Sequence, residues 1–162
     1  MAHAYPEKGM RRILVAIDSS PASLEAALTA LKYAEHLGKQ VTFVHVLPGR
    51  VADETGVAPE FAAFENACEQ YAKGLLTETC FSAGGRAWSV DTLVAHGEPV
   101  AVLTALAKAE DVDMVIVGAR ARGTLARTLL GSVSAELLSR CSKPVLVVPE
   151  RSLSVARPAP QA

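Results

Sequence analysis

The sequence predicts a doubly wound α/β domain: a five-stranded parallel sheet with helices on both faces. Three observations lead there. Five short apolar, β-branched runs alternate with four segments whose apolar residues recur every three or four positions. The strand-like runs are apolar on both of their faces, as strands buried between helices must be. The punctuation agrees, with proline just inside helix starts and glycine or proline at their ends.

The first strand is residues 13–17 (ILVAI), which ends at Asp18. Ser20 reads as a helix cap with Pro21 at the first helical position, and Leu24, Ala27, Leu28, Leu31 and Ala34 follow at helical spacing until Gly38. Residues 41–46 (VTFVHV) place Val41, Phe43 and His45 on one face of a second strand and Thr42, Val44 and Val46 on the other. His45 is expected to be a covered histidine with one ring nitrogen hydrogen-bonded, not a catalyst. Residues 47–59 form a polar connection long enough to shelter a ligand. Phe61, Phe64, Cys68, Tyr71, Ala72, Leu75 and Thr79 then predict a long helix with one buried stripe, dissolving at residues 82–85.

Residues 88–94 make the third strand, and the turn AHGEP, residues 95–99, carries an exposed His96 into a helix over residues 100–110. Val102, Leu103, Leu106 and Ala107 form the apolar face of that helix. The fourth strand, residues 114–117, ends at Gly118 and is followed by a polar, arginine-bearing loop. Gly131 and Ser132 open the fourth helix, which stops at residues 141–143 because Pro144 disfavours helical backbone in the residue before it. Val145 to Val148 is the fifth strand.

Composition narrows the function classes. A chain of 162 residues, half of them hydrophobic, supports one domain with a proper core. Residues 12–150 are read as that domain, residues 1–11 as a flexible leader and residues 151–162 as a disordered tail. A net charge of −1 provides no basic field for nucleic acid. No apolar run is long enough to span a bilayer and the first twelve residues lack a secretory segment, so a cytoplasmic protein is expected. Cys68, Cys80 and Cys141 have no CxxC spacing and the four histidines no HxxxH spacing, so no metal ligated directly by the protein is expected.

Strand, glycine, polar loop and helix start arrive in the order that phosphate-binding α/β proteins use. Free N–H groups at a helix start carry partial positive charge, Gly131 allows close approach, and the Ser132 hydroxyl adds a donor. The same residues have a plain structural reading in which Gly118 ends a strand and Ser132 caps a helix. The run Gly118, two residues, Ala121, nine residues, Gly131, Ser132 resembles the nucleotide signature of the universal stress protein family: G, two residues, G, nine residues, G, then S or T. Ala121 stands at the second glycine; where positive φ is required there, alanine costs about 1 kcal/mol, and Gly123 offers the loop an alternative.

The resemblance spans Arg12 to Pro149 and implies strand order 3-2-1-4-5. In such a sheet the order reverses between the first and fourth strands, leaving a crevice at their carboxyl ends, where Asp18 and Gly118 stand. The resemblance implies that Asp18 lies near a ribose, Ala16 and the Val46 main chain near adenine, and Gly118, Gly131, Ser132 and Val133 around phosphates, with Arg120 and Ala121 in the loop. The implied ligand is ATP or another adenine nucleotide, with Mg²⁺ held through the phosphates and Asp18. Asp18 alternatively serves as a turn aspartate at the helix entrance. No Walker lysine, Ser-His-Asp set or carboxylate pair is legible, so binding is expected rather than dedicated catalysis. A nucleotide-free interaction module and a slow ATP hydrolase are the other readings. Val145 to Val148, an apolar edge, is expected to pair with its counterpart in a homodimer, as the family often does.

Overall fold

The elements run β1 (Arg12–Ala16), α1 (Pro21–Leu37), β2 (Gln40–Leu47), α2 (Pro59–Ser82), β3 (Val90–His96), α3 (Pro99–Ala107), β4 (Val112–Ala119), α4 (Ser132–Arg140) and β5 (Val145–Pro149). The computed structural model describes residues 11–49, 59–84, 90–119 and 130–150. The expectations for the leader, the tail, most of the 47–59 connection and the loop carrying Arg120 and Ala121 therefore lie outside the described residues. The five strands form one parallel sheet in the order β3-β2-β1-β4-β5, as the resemblance implied.

Period-two alternation divides the core between the two faces of the sheet. Ile13, Val15, Val41, Phe43 and Ile116 pack under α1 and α2, while Leu14, Val44, Val115 and Val117 pack under α3 and α4 with Leu103 and Leu137. Helix α1 buries a face made of Ala22, Ser23, Ala26, Ala27, Ala30 and Ala34; Leu24, Leu28 and Leu31, expected on the core stripe, flank it half-buried. Small residues on that face let the helix axis come close to β4. The caps are as expected: Ser20 Oγ accepts from the Ser23 N–H at 3.2 Å, and Gly38 closes the helix at φ 61°.

Three expectations need correction. The buried residues of α2 are Ala72, Leu76, Thr79 and Cys80, with Ala83 just beyond it; of the expected stripe Ala72 and Thr79 are among them and Cys68 and Leu75 are half-buried, but Phe64 and Tyr71 are 67% and 61% exposed. Spacing alone does not choose between adjacent rows of a helix; the underlying strands do. Helix α3 ends at Ala107 rather than residue 110, because Lys108, Ala109 and Val112 each bond a carbonyl three residues back and turn the chain directly into β4. Strand β3 (Val90–His96) runs on past the expected end at residue 94, paired with β2 from Val41↔Val90 to Leu47↔His96, while the expected start at residue 88 lies outside the described residues. His96 is consequently half-buried at a strand end, 3.7 Å from Glu69 of α2, and not in an exposed turn.

The amino end of the sheet is held by charge. β4 carries one extra residue between Arg12↔Val112 and Ile13↔Met114, and that residue is Asp113. The bulge aims its carboxylate at Arg11 Nη1, 2.8 Å away, and at Lys39 Nζ. Beside them Arg12 Nε stands 2.8 Å from Asp111 Oδ2.

Candidate functional site

Strand β1 hands the chain to α1 on one face and β4 hands it towards α4 on the other, so the sheet opens between their carboxyl ends. A cavity of about 280 Å³ fills that opening. Ala16 and Asp18 reach it from the end of β1, and Val46 from β2. Gly118 reaches it from β4, and Gly131, Ser132 and Val133 from the start of α4. Seven of the nine residues singled out in the sequence thus line one cavity, and the other two, Arg120 and Ala121, lie outside the described residues.

A local knot builds the α1 side. Asp18 Oδ1 accepts the Ser20 N–H at 2.8 Å, and the Asp18 carbonyl accepts the buried Ser23 hydroxyl at 2.6 Å. Asp18 is therefore the turn aspartate of the alternative reading and a wall of the cavity at once; a carboxylate has lone pairs enough for both. His45 Nδ1 lies 2.7 Å from the Ile17 carbonyl, which can only accept, so Nδ1 carries the proton. With the Ile17 N–H donating to the Val44 carbonyl at 2.8 Å, these bonds hold the end of β1 against β2. His45 is thus the half-buried, hydrogen-bonded histidine expected.

The two signature glycines do different work. A methyl group on Gly118 would stand 2.5 Å from the Ala22 carbonyl carbon and oxygen and 2.8 Å from the Ser23 nitrogen. Glycine there lets the first turn of α1 lie on β4, which is what brings Asp18 and Ser20 to the crevice. A methyl group on Gly131 would meet only Ser134 Oγ at 3.7 Å, so packing makes no demand for glycine at that position. Gly131 sits at the N-cap of α4 with extended backbone, and among the described residues no side chain caps the helix. The start of α4 therefore presents its first N–H groups to the cavity without the side-chain acceptor that α1 has in Ser20. Ser134, buried behind them, donates to the Gly131 carbonyl at 2.9 Å and fixes that turn.

The cavity also has an apolar lining, to which Val44, Val46, Pro99 and Leu103 contribute. Pro99 and Leu103 were not foreseen as site residues. The GEP turn was the available signal, but only the packing of α3 beside α4 brings it to the crevice. Polar donors together with apolar lining in one cavity suit a flat, largely apolar ring bearing an anionic tail. No group of three or more potential metal-ligating side chains occurs among the described residues.

Comparison with known proteins gives a consistent picture. The model of the universal stress protein family matches residues 9–149. The universal stress protein YxiE of Bacillus subtilis is 32% identical over 146 residues, covering 85% of this chain and 97% of its own. The Mycobacterium tuberculosis universal stress protein MT2052 is 32% identical over 156 residues, covering 85% of this chain but 48% of its own, so this chain spans about half of that relative's length. Among solved structures, the universal stress protein UspA of Lactobacillus plantarum has a TM-score of 0.70 at 23% identity, covering 85% of this chain and 97% of its own. A universal stress protein in complex with cAMP has a TM-score of 0.65 at 23% identity, covering 87% of this chain and 98% of its own. That of Archaeoglobus fulgidus in complex with dAMP has a TM-score of 0.60 at 20% identity, covering 86% of this chain and 98% of its own.

Proposed function

The chain belongs to the universal stress protein family, and from that premise we propose that its crevice binds an adenine nucleotide whose presence modulates a dimer or partner surface in a stress or signalling response. The observation that carries the reading is the start of α4, where Gly131, the N-cap residue, brings no side-chain acceptor to the first N–H groups at a cavity that is also lined by apolar residues. Phosphates meet the N–H groups and hydroxyl around Ser132 and Val133, adenine lies against Ala16 and the Val46 main chain, and Asp18 takes the ribose hydroxyls. Arg120 and Ala121 belong to the loop that completes the phosphate end. The neighbours solved with cAMP and dAMP support an adenine ligand. ATP, with Mg²⁺ held through its phosphates and Asp18, is the form we propose.

The experiment is the thermal melt of nucleotide-stripped protein with and without ATP, ADP, AMP or cyclic AMP. At about 1 mM ligand and a Kd of about 10 μM, binding adds about 2.7 kcal/mol and raises the midpoint by roughly 5 to 10 °C. No shift with any of the four would favour the nucleotide-free interaction module, for which Ala121 in the second glycine position is the supporting observation.

We also propose that β5 pairs with its counterpart in a homodimer. Its four valine and leucine residues, Val145 to Val148, are each only half-buried at the edge of the sheet. Sedimentation at tens of micromolar protein tests this, and a monomeric mass would overturn it.

A further inference from the structure

The outer face of α2 is unlike that of a helix built only to meet water. Of its exposed residues from Ala63 to Ser82, only Lys73 and Glu78 carry charge, where a solvent-facing helix surface is ordinarily rich in it. Phe64, Tyr71 and Phe81 each expose more than half of their surface there. They belong to one stripe, Phe64, Ala67, Tyr71, Gly74, Glu78 and Phe81, whose members are all exposed and stand alternately three and four residues apart. That spacing is the seam along which one helix packs lengthwise on another. The stripe is not the core side of the helix, since Leu76 and Cys80 are the residues that join the core.

Gly74 is a second, independent observation. Glycine inside a helix weakens it relative to alanine. Its backbone is not left-handed, and a methyl group added there would find no heavy atom within 4 Å beyond the helix's own backbone. Nothing within the described chain therefore asks for glycine at that position, whereas a second helix lying close against the stripe would.

We propose that this stripe is a docking surface for a second copy of the chain, the two α2 helices packing antiparallel about a twofold axis that passes between Ala72 and Lys73. A twofold interface has to complement itself, and this stripe does so when it is read backwards. Tyr71 of one copy then lies over Gly74 of the other, Glu78 over Ala67, and Phe64 against Phe81, so both large interior side chains meet small ones and rings meet at the two ends. A partner of unrelated sequence would give no reason for that symmetry. The six rings alone withdraw about 800 Å² from water, and the smaller residues of the stripe carry the total towards the roughly 1,200 Å² at which stable interfaces begin. Helix α2 covers β2 and β3 while β5 edges the sheet on the opposite side, so this surface is separate from the strand pairing proposed above and does not rest on the nucleotide reading.

The test is photo-cross-linking of the full chain at tens of micromolar, with Phe81 replaced by p-benzoylphenylalanine and, in a second protein, Phe64 replaced in the same way. The expected product is a covalent dimer in which position 81 is joined to the stretch around Phe64, and position 64 to the stretch around Phe81. Within one copy those positions lie about 26 Å apart along a single helix, too far for the reagent to bridge, so the join reports the antiparallel pair and not pairing through β5. Gly74→Gln should cut the yield of that dimer at least about tenfold while raising the melting temperature of the dilute protein, because glutamine favours the helix and fills the space that Tyr71 needs. Tyr71→Ala, also at an exposed helical position, should cut the yield by a similar factor. A monomer alone, a join from position 81 to position 81 of the second copy, or a join within one chain to residues 50–58 would overturn the proposal. So would an undiminished yield in Gly74→Gln.

Discussion

The two ends of the parallel sheet use their polar groups in opposite ways. At the amino end, Arg11, Arg12, Lys39, Asp111 and Asp113 are engaged with one another. At the carboxyl end, β1 and β4 part around a cavity, and among the described residues no side chain caps the N–H groups at the start of α4. The difference teaches where stability and recognition are kept. Groups already paired within the fold contribute to holding it together, whereas donors left open contribute little to folding and are available to a ligand. Substitutions at the amino end are expected to cost stability and spare affinity; those at the carboxyl end the reverse.

Gly118 is where this division should break, and it carries the largest expected effect. It stands at the carboxyl end, yet Gly118→Val drives side-chain carbons into the Ala22 main chain, a rigid neighbour that cannot swing aside. A loss of about 3 kcal/mol or more is expected in denaturant unfolding, together with loss of any ligand response, because α1 and the Asp18 knot move as one. Stability within about 1 kcal/mol of wild type would mean that α1 does not lie on β4 as described.

Gly131→Arg should show the division most cleanly. With only Ser134 Oγ near its would-be Cβ, the folded state is expected to keep its stability within about 1 kcal/mol. Calorimetry should register at least about a hundredfold loss of AMP affinity, about 2.7 kcal/mol, as the side chain fills the approach to α4.

The converse lies at the amino end. Burial by itself would raise the Asp113 pKa, but hydrogen bonds from Lys39 and Arg11, with their charges, hold it below its ordinary value of 3.8. A carboxyl group with a depressed folded pKa contributes stability that is full above the unfolded value and is lost as pH falls through the folded one. Asp113→Asn is therefore expected to cost about 1 kcal/mol at neutral pH and to flatten the fall in stability below about pH 4, with AMP affinity unchanged. Arg11 is 57% exposed, so most of that effect should trace to Lys39, and added salt should reduce the remainder.

Ser132→Ala makes the smallest predicted change. It removes one hydroxyl donor while leaving the α4 amides, so AMP affinity should fall by about threefold to tenfold, with the melting temperature of the ligand-free protein unmoved. A larger loss would place more of the recognition on the side chain than on the helix start.

How much of this was legible beforehand varies by element. Caps and breakers act within a few residues, so Ser20–Pro21, Gly38, Pro99 and Pro144 marked helix bounds that the structure keeps to within a residue or two. The α2 stripe was legible only in part: Ala72 and Thr79 are buried as expected, but Phe64 and Tyr71 obey the same spacing and are exposed, and only the packing of α2 on β2 and β3 decides which positions are covered. The register of β3 was likewise chosen by β2 rather than by its own residues.

What the sequence by itself determined is the alternation of five buried strands with four helices and the presence of a strand-loop-helix unit with an anion-friendly start. Hydrophobic period, turn chemistry and helix capping are local, and one chain read in order displays them. What only the tertiary structure decided is why each site residue matters. That Gly118 serves the packing of α1 and that Pro99 and Leu103 line one cavity with Gly131 are relations between residues far apart in the chain. They exist only where the crossing of helices over a twisted sheet sets the distances, and no spacing along the chain encodes them.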